Sequence, residues 1–220
     1  MIKALIFDMD GTIVDNMGVH TAVWLEILGE FGVEITTSEF QATVAGMTNP
    51  ETLRKLVNPQ MSDAEAAKIA RRKEERYREQ YRATMETVKG LVPLLEEARR
   101  FGIKLAVATA AGSENVKFIM NGLQLWGYFD AVVKADDVAR GKPHPDLFLL
   151  AAKRMGVPPE NCLVFEDALT GIEAARRAGM LVIAMTTSHN INEVAHLPNV
   201  QQAVPDFTHL ALADFLGKES

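Results

Sequence analysis

An apolar run follows Lys3 and stops abruptly at Asp8, the length and composition of a buried strand. After residue 90 one arrangement recurs three times: a stretch of helical periodicity, a glycine, then an apolar run rich in β-branched residues. The glycines are Gly102, Gly156 and Gly179, and the runs that follow them span 103–109, 162–166 and 181–186. A glycine suits the left-handed residue that closes a helix, and each run has strand length. Helices alternating with strands predict an α/β fold, a doubly wound parallel sheet covered by helices on both faces.

Residues 17–84 interrupt this alternation, because nothing in them reads as a strand. Val19, Val23, Trp24, Ile27, Leu28 and Phe31 recur at helical spacing, with Gly32 closing that helix, and further helices are predicted around 38–45, 50–57 and 62–84. The expected organisation is a core domain made of 1–16 and 85–220, with a helical domain, 17–84, inserted after the first strand. Within the insert, residues 71–82 carry six basic and three acidic side chains, a local +3 that reads as a solvated helix face with i,i+4 pairs.

Composition narrows the class. At 220 residues and 48% hydrophobic, the chain builds a full core without staples. Its one cysteine, Cys162, has no internal partner and begins an apolar strand, so it reads as a small buried hydrophobe. Neither a basic leader nor an apolar stretch of the ~20 residues that span a bilayer is seen, so a soluble, cytoplasmic protein of a reducing compartment without membrane contact is expected; a monomer is expected as well. The net charge of −6 argues against a nucleic-acid partner, since phosphate-backbone binding needs clustered excess Lys and Arg. An enzyme acting on small molecules, or a binding module, remains.

The chemistry gathers at strand ends. Asp8 and Asp10 are one residue apart where the first strand stops; period two puts both on one side, and Gly11 lets the backbone turn away. By itself this is also what an acidic turn after a strand looks like. Thr109 ends the second run, Glu166-Asp167 ends the third, and Gly141-Lys142-Pro143 precedes a helix at 145–155. Singly these read as a strand-terminal hydroxyl, a helix-start acidic pair and a surface lysine. Together they place a hydroxyl, a cation and four carboxylates along one sheet edge, where open α/β folds bind ligands. Such carboxylates repel unless a cation joins them or one keeps its proton. Thr170 and Glu173 also have the spacing of a capping box opening a helix that runs to Gly179. His144, His189, His196 and His209 lack metal-ligand spacing and read as surface residues.

The order DMDGT (8–12), VATAA (107–111), GKPHPD (141–146) and FEDALTGIEAARRAG (165–179) resembles the four motifs of the haloacid dehalogenase superfamily, and the helical insert resembles the small cap of its β-phosphoglucomutase and sugar-phosphate phosphatase branch. The resemblance covers essentially the whole chain. It implies that Asp8 is a nucleophile forming an aspartyl-phosphate and Asp10 a general acid and base. It further implies Mg²⁺ held by Asp8, the Asp10 carbonyl and Asp167 with Glu166 in support, phosphoryl oxygens bonded by Thr109 and the Ala110 N–H, and charge neutralised by Lys142.

The same resemblance assigns the cap residues. His20 and Trp24, four apart on one helix face, and Lys73 match substrate-facing positions of β-phosphoglucomutase, though packing alone also accounts for His20 and Trp24; Asp15 matches near the hinge. The mutase has an Arg for its substrate's second phosphate three residues after a cap glycine, whereas Gly46-Met47-Thr48-Asn49 puts Asn49 there. Asparagine lacks the permanently charged fork of Arg, which favours a phosphomonoesterase for a small sugar or polyol phosphate over a mutase. The tracts 128–138 and 150–168 also resemble small sugar-phosphate phosphatases. Against this, His20, Trp24 and Lys73 keep β-phosphoglucomutase as the alternative. A phosphorylated signalling receiver has no such insert, and a non-catalytic binding protein on this scaffold would normally have lost one of the first two aspartates.

Overall fold

The computed structural model describes residues 1–44 and 47–215. The chain runs through β1 (Ala4–Phe7), then four helices, α1 (Met17–Gly29), α2 (Thr37–Val44), α3 (Asn49–Leu56) and α4 (Asp63–Tyr81). It continues through α5 (Leu91–Arg100), β2 (Lys104–Ala108), α6 (Ser113–Gly122), β3 (Ala131–Val133), α7 (Asp146–Met155) and β4 (Cys162–Glu166). The last elements are α8 (Leu169–Arg177), β5 (Leu181–Met185), α9 (Ile191–Val194) and β6 (Val200–Val204). Among the described residues the six strands are all parallel, in the order β3-β2-β1-β4-β5-β6. The doubly wound parallel sheet is as the alternation predicts. Two strands escape that pattern: β3 is three residues long, and β6 is an edge strand whose Gln201 and Gln202 face water.

Strand period two divides the core. On one face Ala4, Ile6, Ala106, Ala108, Val164 and Val182 pack under α7 and α8. On the other, the Phe7 and Phe165 rings, neighbours in register, stack at 4.6 Å with 4° between planes. Phe207 covers both at 6.0 and 5.5 Å. A strand covered on both faces must be apolar throughout, which is why 4–7 reads as an unbroken run. Each buried phenylalanine contributes about 1.5–3 kcal/mol.

Gly102, Gly156 and Gly179 all take the left-handed conformation after α5, α7 and α8. The expected capping box at Thr170 and Glu173 does not form. Helix α8 begins earlier, with Ala168 as its N-cap and no side-chain cap. The Ala168 N–H is instead taken by Glu166 Oε1 at 3.2 Å, while Glu173 turns along the helix to Arg176 (2.6 Å) and Arg177 (2.7 Å).

The chain folds as two compact units, Met1–Asp15 with Met85–Ser220, and Asn16–Thr84. The second is helical among its described residues. Helix α1 buries Val23, Trp24, Ile27 and Leu28, and Gly32 closes it as expected: Gly32 is left-handed at φ 72°, its N–H donates to the Gly29 carbonyl at 3.0 Å and the Val33 N–H to the Leu28 carbonyl at 3.1 Å, with Phe31 in that last turn 42% exposed. Thr48 with Glu51 and Ser62 with Glu65 form the capping boxes of α3 and α4, each cap worth about 1 kcal/mol. The basic segment keeps a solvated face, with Arg71, Arg72, Glu75, Glu79 and Arg82 exposed, and some of its pairs reach beyond its own helix. Arg72 reaches Glu30 at 2.5 Å, Arg76 reaches Glu30 at 2.9 Å and Glu26 at 3.5 Å, and Lys73, Tyr77 and Tyr81 are buried. Helix α4 packs on α1, which brings Glu26 and Glu30 to these two arginines, while Lys73 pairs with Glu74 of its own helix.

Candidate active site

β1 lies between β2 and β4, with Phe7 level with Val107 and Phe165. Asp8, Thr109 and Glu166-Asp167 therefore leave the sheet at one carboxyl edge, beside the point where the strand order reverses. Past Asp8 the backbone closes a tight loop: Ile13 and Val14 donate N–H bonds to the Met9 carbonyl at 2.9 and 3.1 Å, and Gly11 donates to Val14 at 2.7 Å. Gly11 holds φ at 80°, a conformation a side chain would strain.

Lys142 enters from the loop before α7. Its Nζ donates to Asp8 Oδ1 and to Glu166 Oε2, each at 2.6 Å, and all three side chains are at most 7% exposed. Burial works against the ammonium, but the charges of Asp8 and Glu166 outweigh it and hold Lys142 protonated. Burial raises the carboxyl of Asp8 above its ordinary value against the pull of Lys142, and the charge of half-buried Asp10 pushes the same way. Burial raises Glu166 well above its ordinary value too, with Asp8 and Asp167 adding to it. Burial and the charge of Asp8 bring Asp167 up to about 7, opposed by the Ser188 hydroxyl.

Two carboxylates rest on glycines. A Cβ on Gly11 would lie 2.1 Å from Asp167 Oδ2, and one on Gly171 would lie 2.0 Å from Glu166 Cδ. Thr12 Oγ1 donates to Asp167 Oδ1 at 3.4 Å, Ser188 Oγ donates to Asp167 Oδ2, and Thr187 Oγ1 donates to the Gly11 carbonyl. Sequence reasoning named neither Thr187 nor Ser188 for the site. The signal was position: both follow the run 181–186, so they leave the sheet at the same edge as Asp8.

Asp8, Glu166 and Asp167 each offer one oxygen within 4.8 Å of the others, all buried. Three carboxylates and one ammonium sum to −2 when ionised. Hard oxygen donors with excess negative charge fit Mg²⁺, so this donor set is one that could hold the expected cation. Thr109 is buried and its Oγ1 accepts the Ala111 N–H at 3.0 Å, while Ala110 is exposed at the strand end.

In the helical unit the four expected residues also come together. Lys73 Nζ lies 2.6 Å from His20 Nδ1, 3.0 Å from Glu74 Oε1 and 5.7 Å from the centroid of the Trp24 ring. Asn49 Nδ2 donates to the same Glu74 oxygen at 2.8 Å, and His20 stacks on Tyr77 at 3.8 Å. Gly46, on which the spacing to Asn49 was read, lies outside the described residues. His144 and His189 are half-buried, His196 and His209 exposed. Cys162 is buried, its thiol pushed up to about 12 by burial and then by the charge of Glu160. No helix among the described residues is long and apolar enough to cross a membrane.

The sequence profile of the haloacid dehalogenase-like hydrolases matches residues 2–179, and the chain belongs to that family of enzymes. Among curated relatives it is 39% identical over 180 residues to the fructose-1-phosphate phosphatase YqaB of Escherichia coli, covering 80% of this chain and 92% of that protein. Among solved structures it is similar to a family IA, variant 3 hydrolase from Entamoeba histolytica, with a TM-score of 0.91, 28% identity and 97% of each chain covered. It is also similar to the β-phosphoglucomutase of Clostridium difficile, with a TM-score of 0.84, 26% identity and coverage of 98% and 96%.

Proposed function

We propose that the protein is a Mg²⁺-dependent phosphomonoesterase that hydrolyses a small sugar or polyol phosphate through an aspartyl-phosphate. The observation that carries the reading is the buried pairing of Lys142 with both Asp8 and Glu166. A lysine whose charge opposes the burial of a carboxylate at a ligand-binding sheet edge supports a carboxylate nucleophile facing a phosphate dianion.

In the first step a carboxylate oxygen of Asp8 attacks phosphorus, the ester P–O bond breaks, and Asp10 protonates the departing sugar oxygen. In the second, Asp10 takes a proton from water as the water oxygen attacks phosphorus, and the Asp8–phosphorus bond breaks to release phosphate. Thr109 and the Ala110 N–H hold the phosphoryl oxygens, and Lys142 balances the charge shared by Asp8 and the phosphoryl group. A magnesium ion held by Asp8, the Asp10 carbonyl and Asp167, with Glu166 in support, would neutralise phosphoryl charge and orient the group.

Substrate binding is assigned to His20, Trp24, Asn49 and Lys73 in a cap domain, residues 17–84, inserted into a core domain of 1–16 and 85–220. Asn49 is tied to the Glu74 carboxylate, a poor setting for a second phosphate, which supports a monophosphate substrate. The phosphatase among the relatives supports the same choice. A mutase converting β-glucose 1-phosphate to glucose 6-phosphate is the second reading, supported by the His20–Lys73 pair and the likeness to β-phosphoglucomutase.

The test is phosphate release from a panel of phosphorylated metabolites, fructose 1-phosphate included, with Mg²⁺ or EDTA, beside a glucose-phosphate isomerisation assay. Metal-dependent release by wild type and none by Asp8→Ala is expected. Isomerisation with little release would establish the mutase instead. Full activity in Asp8→Ala or in EDTA would sink both readings.

A further inference from the structure

We propose that Ser188 is a positioning residue for the metal-binding carboxylate of Asp167, and that the loop after β5 is the third wall of the cation site. The inference rests on the Mg²⁺ reading above and adds to it a residue that none of the four motifs contains.

The contacts form a closed ring. The Asp167 carboxylate lies flat against Gly11, where an added Cβ would meet Oδ2 at 2.1 Å and Cγ at 2.4 Å. Ser188 Oγ donates to that same Oδ2, and Thr187 Oγ1, one residue earlier, donates to the Gly11 carbonyl. Gly11, Asp167, Ser188 and Thr187 therefore lock one another, joining the β1, β4 and β5 ends across separations of 176 and 21 residues.

This arrangement decides which oxygen is left for a ligand. Oδ2 accepts the Ser188 hydroxyl, while Oδ1 accepts the long 3.4 Å bond from Thr12. A carboxylate fixed at one oxygen by a hydroxyl presents its other oxygen without searching rotamers, which lowers the ordering cost of binding a cation. Partners that orient metal ligands in this way change affinity by about 10- to 100-fold when removed. Ser188 is itself exposed, so its replacement leaves the core intact.

The test is titration of the metal-free protein with MgCl₂ by calorimetry, paired with thermal melting in EDTA, for wild type, Ser188→Ala and Ser188→Thr. Wild type is expected to bind, Ser188→Ala to bind about 10- to 100-fold more weakly while melting in EDTA near the wild-type temperature, and Ser188→Thr to recover most of the loss. Equal Mg²⁺ affinity in wild type and Ser188→Ala overturns the proposal and leaves the phosphatase reading standing. So does a lower melting temperature with unchanged affinity, which would make Ser188 a structural residue. No Mg²⁺ binding by wild type removes both. Should Ser188→Ala fail to fold, Ser188→Cys, with its weak donor, is read in the same titration, and wild-type affinity there overturns the proposal.

Discussion

A Cβ on Gly171 would stand 2.0 Å from Cδ of Glu166 and 2.2 Å from its Oε1, so the first turn of α8 rests directly on the carboxylate that Lys142 also holds. The contact permits no side chain there, and it ties the start of a helix to the charge balance of the site. At an open helical position, Gly→Ala gains about 1 kcal/mol. Here overpacking wins, at a cost of about 1–3 kcal/mol. Gly171→Ala is expected to lower the denaturant midpoint and, by displacing Glu166 and with it Lys142, to cut turnover at least tenfold. Midpoints and initial rates measured on one preparation check both.

Lys142→Met leaves Asp8, Glu166 and Asp167 together without their cation. Turnover should fall by on the order of 10²-fold or more. In EDTA, stability at pH 8 should fall by up to about 3–5 kcal/mol, the cost of breaking a buried pair. The deficit should shrink from pH 8 toward pH 5, because burial already pushes Asp8 and Glu166 up and losing the Lys142 charge pushes them further the same way. Urea melts at the two pH values measure this.

Asp167 gives a signed pH dependence. Its ordinary value of 3.8 is raised to about 7 in the fold. An acid raised on folding favours the folded state below its unfolded pKa and loses that contribution as pH rises through the folded one. Metal-free wild type should therefore lose stability between about pH 4 and pH 7, and Asp167→Asn, which has no proton to lose, should vary less and exceed wild type at pH 8. Mg²⁺ at 100 times its dissociation constant should return about 2.7 kcal/mol to wild type and little to the variant.

Cys162 should be silent toward thiol reagents. Buried and pushed up to about 12, it carries almost no thiolate at pH 8. Reaction with an aromatic disulfide is expected only at the rate of unfolding, becoming rapid in guanidinium chloride. Fast stoichiometric reaction of the native protein would contradict this.

Strands with both faces covered were legible, because two-sided burial writes an apolar run that polar punctuation brackets. The edge strands β3 and β6 were not: one has three residues, and Gln201 and Gln202 hide the other. The end of α1 was legible because Gly32 takes the left-handed turn that closes it, although Phe31, at helical spacing, is exposed rather than buried. The capping box at Thr170 was wrong because Glu166, two residues before the Ala168 N–H it accepts, had already taken the role. Asp8, Thr109, Lys142 and Glu166-Asp167 stood out because chemistry collects at strand ends, whose positions follow from the runs before them.

What the sequence alone determined is therefore the sheet's alternation, the helical insert and the residues arriving at one edge, since each depends on periodicity within a short window. The tertiary structure alone decided how those residues share charge and space. That Lys142 serves two carboxylates, that Gly11 and Gly171 seat Asp167 and Glu166, and that Ser188 reaches Asp167 are facts of packing. They join atoms far apart in the chain through contacts of a few ångströms, and no local pattern of polarity encodes which distant backbone a carboxylate will touch.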